Sequence, residues 1–175
     1  MSKEESTSLF RSAVAGIPPY NAGLSSAFVR ARYGVTNVVK LASNENPLGA
    51  SPVVADAIAA EIASVARYPD AHCLTLRETI AATLGVAADR LVFGNGSEDL
   101  IAIAGRAFLD PGDTVVLSSP TFSVYGDTAA VMGAHVIDVP RRADLTVDVD
   151  AVLGALDPAT KLLCLCNPNN PTGTM

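Results

Sequence analysis

Residues 162–173 read Leu-Leu-Cys-Leu-Cys-Asn-Pro-Asn-Asn-Pro-Thr-Gly, and this stretch decides the fold. Its first five positions are all apolar, without the alternation of a strand that faces water on one side, so they read as a strand covered on both faces in a largely parallel sheet. The chain then turns abruptly to Pro and Asn. Two prolines fix the backbone and remove two donors, while three Asn side chains offer amides to a polar ligand. A strand running into such a loop suits an open α/β sheet, where ligands bind beyond the carboxyl ends of the strands.

Upstream of this stretch the pattern alternates. Strands are expected at 91–93, 114–117 and 135–139, and helices at 98–109, 122–132 and 148–156, which is the α/β signature. Two further helices precede them. Ser51-Pro52 suits an N-cap with Pro at the first helical position, leading into 53–66. Thr75 and Glu78 have the spacing of a capping box; Leu76, Ile80 and Leu84 then line one face, and Gly85 stops the helix. Residues 17–50, with Pro18, Pro19 and the string Lys-Leu-Ala-Ser-Asn-Glu-Asn-Pro-Leu-Gly at 40–49, suit an extended segment. The first 16 residues suit a frayed or partly helical arm. The expected organisation is therefore an arm and extended segment at 1–50, a helical segment at 51–88, and the beginning of an α/β domain at 89–175.

Composition narrows the chemistry. A chain of 175 residues, 49% hydrophobic and 17% charged, is long enough for one ordinary core. Its 18 acidic against 12 basic residues, net −6, lack the basic surplus of a nucleic-acid or anionic-membrane binder, so small molecules or proteins are the expected partners. The start, MSKEESTSLFRSA, has no apolar core of a signal peptide, and no apolar run approaches the roughly 18 residues needed to cross a bilayer; a cytoplasmic chain is expected. Cys73, Cys164 and Cys166 are too few for a disulfide framework, and Cys164-Leu-Cys166 reads as buried strand rather than as metal ligands.

Three loops at strand ends carry the candidate chemistry. Gly94-Asn95-Gly96-Ser97-Glu98-Asp99 opens directly into a helix, whose free N–H groups and positive dipole end suit an anion; Ser97 reads equally as an ordinary cap, and Glu98 and Asp99 complement the dipole without a ligand. Ser118-Ser119-Pro120-Thr121-Phe122-Ser123-Val124-Tyr125 places aromatic rings near the mouth of the same cleft, though an aromatic in a first helical turn also suits a core. The third loop is Asn167 to Gly173. Together they suit one site that reads a phosphate, an aromatic ring and a ring substituent. The glycine-rich loop is neither Gly-x-Gly-x-x-Gly nor a Walker loop, which argues against a nucleotide-binding module.

These residues, with Pro19-Tyr20, Arg67-Tyr68-Pro69-Asp70 and Asp110-Pro111-Gly112-Asp113, occur in the order found in the class I/II, fold type I pyridoxal-phosphate aminotransferases. From about Ile17 to Gly173 the chain resembles that family, and within it the histidinol-phosphate aminotransferase branch. The resemblance implies a three-layer α/β/α, mostly parallel large domain, incomplete in this chain, and pyridoxal 5′-phosphate as cofactor. It implies that Ser97 and Glu98 hold the phosphate, Phe122 stacks on the pyridine ring and Asn170 bonds the ring O3′. It implies further that Tyr68 reaches the phosphate in the neighbouring subunit of a homodimer, and that Tyr20 and Asn44 contact substrate. The substrates implied are L-histidinol phosphate as amino donor and 2-oxoglutarate, with aromatic amino acids as the alternative. Two local departures stand out: Ser-Glu-Asp replaces the commoner Ser-Asp-Glu, and Phe122 replaces a frequent Tyr.

The family's Schiff-base lysine follows the Asn-Pro-Thr-Gly motif, where this chain stops. The lysines present are Lys3, Lys40 and Lys161, none in a suitable place. The chain thus reads as roughly the N-terminal part of an aminotransferase, inactive by itself, with an uncovered apolar strand edge. The alternative is a non-catalytic truncated product.

Overall fold

A computed structural model describes residues 11–18 and 23–175; Tyr20 lies outside the described residues. In chain order the helices are α1 (Ser26–Tyr33), α2 (Pro52–Glu61), α3 (Leu74–Leu84), α4 (Ser97–Phe108), α5 (Val124–Met132) and α6 (Val149–Gly154). The strands are β1 (Thr114–Leu117), β2 (His135–Asp138) and β3 (Thr160–Cys164). The described residues form two compact units, one joining residues 11–18 to Val92–Met175 and the other holding residues 23–91.

In the first unit β2, β1 and β3 lie side by side in that order, all parallel. Val115 pairs with Val136 and Leu162, and Val116 with Ile137 and Leu163, so successive residues of β1 point to opposite faces of the sheet. Each face has its own core. Val115 packs with Leu109 and Ala129, flanked by Met132, Leu162 and Cys164. Val116 packs with Val139 and Val152, flanked by Val147 and Ala155. Helix α5 thus covers one side of β1 and α6 the other, and every residue of β1 is buried. This is the expected three-layer arrangement, centred on β1.

The apolar run at 162–166 behaves differently from its sequence. Strand β3 begins and ends two residues earlier than expected, and its burial alternates, leaving Leu163 39% and Leu165 53% exposed. Only the Leu162 and Cys164 side meets a core, because among the described residues no helix packs over the other face of β3. The triplet 91–93 is not a strand. It forms no ladder and runs on into the glycine loop.

Helices α4 and α5 lie side by side in the same direction, since Gly105 meets Thr128 and Met132 while Leu100, Ile101 and Ala104 share a cavity with Tyr125 and Thr128. Gly105 is required for that approach: a Cβ there would overlap the Thr128 Cγ2, so any larger residue pushes the two helices apart. The 3₁₀ turn Ser12–Val14 rests on α5.

The second unit holds a helix that the sequence reading missed. Ser25 accepts the Phe28 N–H at 3.1 Å and caps α1, and Gly34 closes it in the left-handed conformation. The helix expected at 53–66 is α2 followed by a 3₁₀ turn, Ile62–Ser64, with Pro52 at its first position as expected. The expected capping box at Thr75 does not form, because that residue is already inside α3. Cys73 stands at the cap position, left-handed at φ +48°, and the accepting group comes from further upstream: the Asp70 carboxylate takes the His72 N–H at 2.9 Å and the Leu74 N–H at 2.7 Å. These two backbone donors, the Leu74 one foremost, hold the Asp70 carboxyl below its ordinary value of 3.8. Arg77 ties α3 to the segment after it, donating to the carbonyls of Ala88 and Leu91.

Candidate active site

All three strands are parallel, so their carboxyl ends share one edge, and the loops that leave it are held by a polar network. Its centre is Asn169, 3% exposed. The Asn169 Oδ1 accepts from Thr121 Oγ1 and from Arg141 Nη2, both at 2.8 Å. Its Nδ2 donates to the Pro120 carbonyl at 3.0 Å and to Thr172 Oγ1 at 2.7 Å. Both donors and both acceptor directions of a buried amide are therefore used. The backbone closes the same loop: the Asn169 N–H donates to the Thr174 carbonyl, and the Gly173 N–H to that of Asn169. Ser119-Pro120, Asn167-Pro168 and Asn170-Pro171 are cis.

This network flanks two of the expected site residues. Phe122, half-buried, follows Thr121 and meets Tyr125 edge to face with ring centroids 5.9 Å apart. Asn170, half-buried, follows Asn169; its N–H donates to Cys166 Sγ at 3.3 Å. No bond to its side-chain amide is found among the described residues. Cys166 thus belongs to the loop rather than to the strand. Burial foremost, then a hydrogen bond with the Cys166 thiol, pushes the Tyr125 phenol up to about 12, and burial also raises the Cys164 thiol. Behind Tyr125 lies an apolar cavity of about 340 Å³, lined in part by Ile101, Ala104 and Leu109.

Ser97 and Glu98 begin α4, whose amino end lies at the same edge as that of α5 because the two helices run parallel. Both are exposed. Ser97 is not the cap expected from its sequence. Gly96, at φ +91°, occupies that position, which puts Ser97 inside the first turn with its N–H pointing out of the helix. Asp99 serves the turn instead: its Oδ2 accepts the Asn95 N–H at 2.8 Å. A Cβ on Gly94 would stand 2.9 Å from that oxygen and 3.0 Å from Leu100, so a larger residue there would displace the Asp99 carboxylate from its bond to Asn95. The order Ser-Glu-Asp therefore separates the two acids, Asp99 being engaged with its own loop and Glu98 facing solvent. The amino end of α4 retains outward N–H groups and no side-chain cap, a donor set that fits a phosphate dianion.

The remaining expected residues belong to the second unit. Tyr68 is fully exposed, at 101%. Asn44 is exposed and left-handed at φ +51°, next to Ser43 at φ +68°. Lys40 pairs with Glu45 at 2.5 Å. Arg141 and Asn169 are the residues that sequence reasoning missed. Asn169 is indistinguishable from Asn170 in the string, and Arg141 follows a strand whose loop carried no recognised motif.

Among the described residues no helix is long and apolar enough to cross a membrane. Comparison with known proteins identifies the fold. The family model "Aminotransferase class I and II" matches residues 36–175. A histidinol-phosphate aminotransferase of Geobacillus thermodenitrificans (strain NG80-2) is 47% identical over 159 residues, covering 91% of this chain and 43% of that protein. Histidinol-phosphate aminotransferase 2 of Caulobacter vibrioides is 48% identical over 163 residues, covering 93% and 43%. The chain thus spans less than half the length of the curated relatives it matches. Among solved structures, the histidinol-phosphate aminotransferase of Sinorhizobium meliloti in complex with pyridoxal-5′-phosphate shares the fold at a TM-score of 0.80 and 23% identity, covering 95% of this chain and 44% of that one. An aspartate aminotransferase of Thermotoga maritima gives 0.74 and 26%, covering 93% and 46%. With its three-layer sheet, its strand-end loops and a family match over residues 36–175, the chain belongs to the class I and II aminotransferases.

Proposed function

We propose that this chain forms part of a cytoplasmic, homodimeric, pyridoxal-phosphate-dependent aminotransferase that transfers an amino group from L-histidinol phosphate to 2-oxoglutarate in histidine biosynthesis. The observation that carries the reading is the strand-end edge, where the loops bearing Phe122 and Asn170 are cross-tied through one buried amide. The preference for histidinol phosphate rests on the relatives, which bear that name at 42–48% identity.

The residues present fit the cofactor. Ser97 and Glu98 offer the outward N–H groups of α4, a start that no side chain caps and whose donors suit a phosphate. Phe122 supplies an aromatic face, held in place by Tyr125. Asn170 supplies an amide for the ring O3′, and its backbone is fixed by Cys166. Bound there, the ring supplies an electron sink that lets the substrate α-carbon release its proton. Tyr68, fully exposed among the described residues, is suited to reach the phosphate in a second subunit's site. Asn44 and Tyr20 are assigned to substrate contact.

The test is kinetic. With the intact protein and 2-oxoglutarate as acceptor, kcat/KM for histidinol phosphate should exceed that for phenylalanine; a preference for phenylalanine overturns the substrate assignment. Asn170→Ala and Phe122→Ala should each weaken pyridoxal phosphate binding about tenfold, the loss of one good contact.

A second inference concerns residues 1–175 as a polypeptide by themselves. Lys161 stands at the amino end of β3, opposite the site, and Lys40 is paired in the other unit. This polypeptide should hold the cofactor without a covalent bond. Borohydride treatment followed by peptide mass spectrometry should show no pyridoxyl adduct on Lys40 or Lys161, and an adduct on either would refute this.

A further inference from the structure

We propose that Arg141 is a positioning residue for the strand-end site, acting through Asn169 to set where Asn170 and Phe122 stand. The inference rests on the reading of this edge as the cofactor site. Arg141 is half-buried and its guanidinium reaches all three strand-end loops at once. Its Nε donates to the Ser118 carbonyl after β1 at 3.1 Å, its Nη1 to the Leu145 carbonyl after β2 at 3.0 Å, and its Nη2 to Asn169 Oδ1 after β3 at 2.8 Å. Its own N–H donates to the Ser119 carbonyl. A planar fork with a fixed positive charge is suited to this task, whereas an ammonium on a flexible stem cannot face three separated acceptors.

The consequences run along the chain. Oδ1 of Asn169 takes the Arg141 bond on one side, so its Nδ2 faces the Pro120 carbonyl and Thr172, and the amide cannot flip without losing both Arg141, which only donates, and the Pro120 carbonyl, which only accepts. The residues adjacent to this lock are the functional ones: Thr121 precedes Phe122, and Asn169 precedes Asn170. Thr174 extends the clasp to the β2 side, its Oγ1 donating to the same Leu145 carbonyl. With Nε, Nη1 and Nη2 each committed to a protein acceptor, Arg141 acts on the site through its neighbours rather than as a free cation for substrate.

The experiment uses the intact protein with Arg141→Met, Arg141→Lys and Asn170→Ala, and pyridoxal phosphate as the probe. Dissociation constants are taken from titration, together with the absorbance maximum of the bound cofactor, which senses the hydrogen bond at O3′. Arg141→Met should weaken binding about tenfold, comparable with Asn170→Ala, and should move the absorbance maximum in the same direction. Arg141→Lys, which keeps the charge and one or two of the bonds, should recover part of the affinity and serves if the Met variant does not fold. If both Arg141 variants lower only the unfolding midpoint, with affinity and absorbance unchanged, Arg141 is merely structural and the inference is overturned. If Asn170→Ala leaves both readouts unchanged, the site reading itself fails.

Discussion

Replacing Gly105 by alanine sets two known effects against each other. Within α4, one turn before its end, the exchange relieves the conformational cost of glycine, worth up to about 0.8–1 kcal/mol in favour of the variant. The new methyl, however, falls on Thr128 Cγ2, while its other neighbours, Met132 Cγ at 3.6 Å and Leu109 Cδ1 at 3.9 Å, are at ordinary contact distance. Overpacking of this kind costs about 1–3 kcal/mol, because α4 and α5 are pinned from behind by the Leu109, Val115 and Ala129 core and can separate only by opening it. Gly105→Ala should therefore lie between neutral and about 2 kcal/mol less stable. The interfering atom can be removed by itself: Thr128→Ser deletes Cγ2 and keeps the hydroxyl. In that background the clash is gone and Gly105→Ala should be stabilising by most of the helix-propensity gain. Urea unfolding of the four proteins, followed by circular dichroism, gives the coupling between the two positions, expected at about 1–3 kcal/mol. A coupling near zero, with Gly105→Ala equally stabilising in both backgrounds, would show that the α4–α5 contact does not require glycine and would refute the packing argument.

Two further outcomes follow from the electrostatics. The Asp70 carboxyl titrates below 3.8 when folded, so its support for the start of α3 is complete above that value and is lost as the pH falls through the lower folded one; amide exchange at Leu74 and His72 should accelerate there in the parent protein, and already at neutral pH in Asp70→Ala. Tyr125 should ionise near 12 in ultraviolet difference titration, a step absent from Tyr125→Phe; since the neutral phenol is the form the fold favours, its contribution is present below pH 10 and lost as the pH rises through about 12.

The sequence revealed elements whose signals are local and failed where pairing or partners decide. β1 and β2 were legible because each apolar run is bracketed by turn residues, Pro111-Gly112 before one and Gly133 before the other. The triplet 91–93 has the same apolar character, but strand propensity expresses a fit against neighbours, and these residues have none beside them in the sheet. Helix α1 escaped notice because Ser-Ala-Phe-Val-Arg-Ala-Arg-Tyr carries no apolar stripe; only its caps, Ser25 and Gly34, marked it. In the site, the string 167–173 pointed to the correct loop without distinguishing its asparagines. Asn169 is the buried one because Arg141, 28 residues away, and Thr121, 48 away, arrive there to bond it, and such distant partners leave no periodicity to read. Asp99 was legible in principle, since an acid four residues after Asn95 lies within reach of that backbone N–H.

The placement of β1 between two strands that both come later in the chain bears on the order of events during synthesis. When β1 has emerged from the ribosome it has neither neighbour; β2 arrives about twenty residues later and β3 a further twenty or so, and at roughly 5–20 residues per second each interval lasts seconds. Throughout the second interval the Pro120 carbonyl, Thr121 and the Arg141 guanidinium have no Asn169 to bond, so the edge that carries the proposed chemistry is the last part of this unit to set. A chain arrested on the ribosome before Asn169 emerges would have its α5 side packed and its loops still loose. Slowing translation just after β2 would lengthen the exposure of those loops to chaperones, and would also leave the first core without Leu162 and Cys164 of β3 for that time.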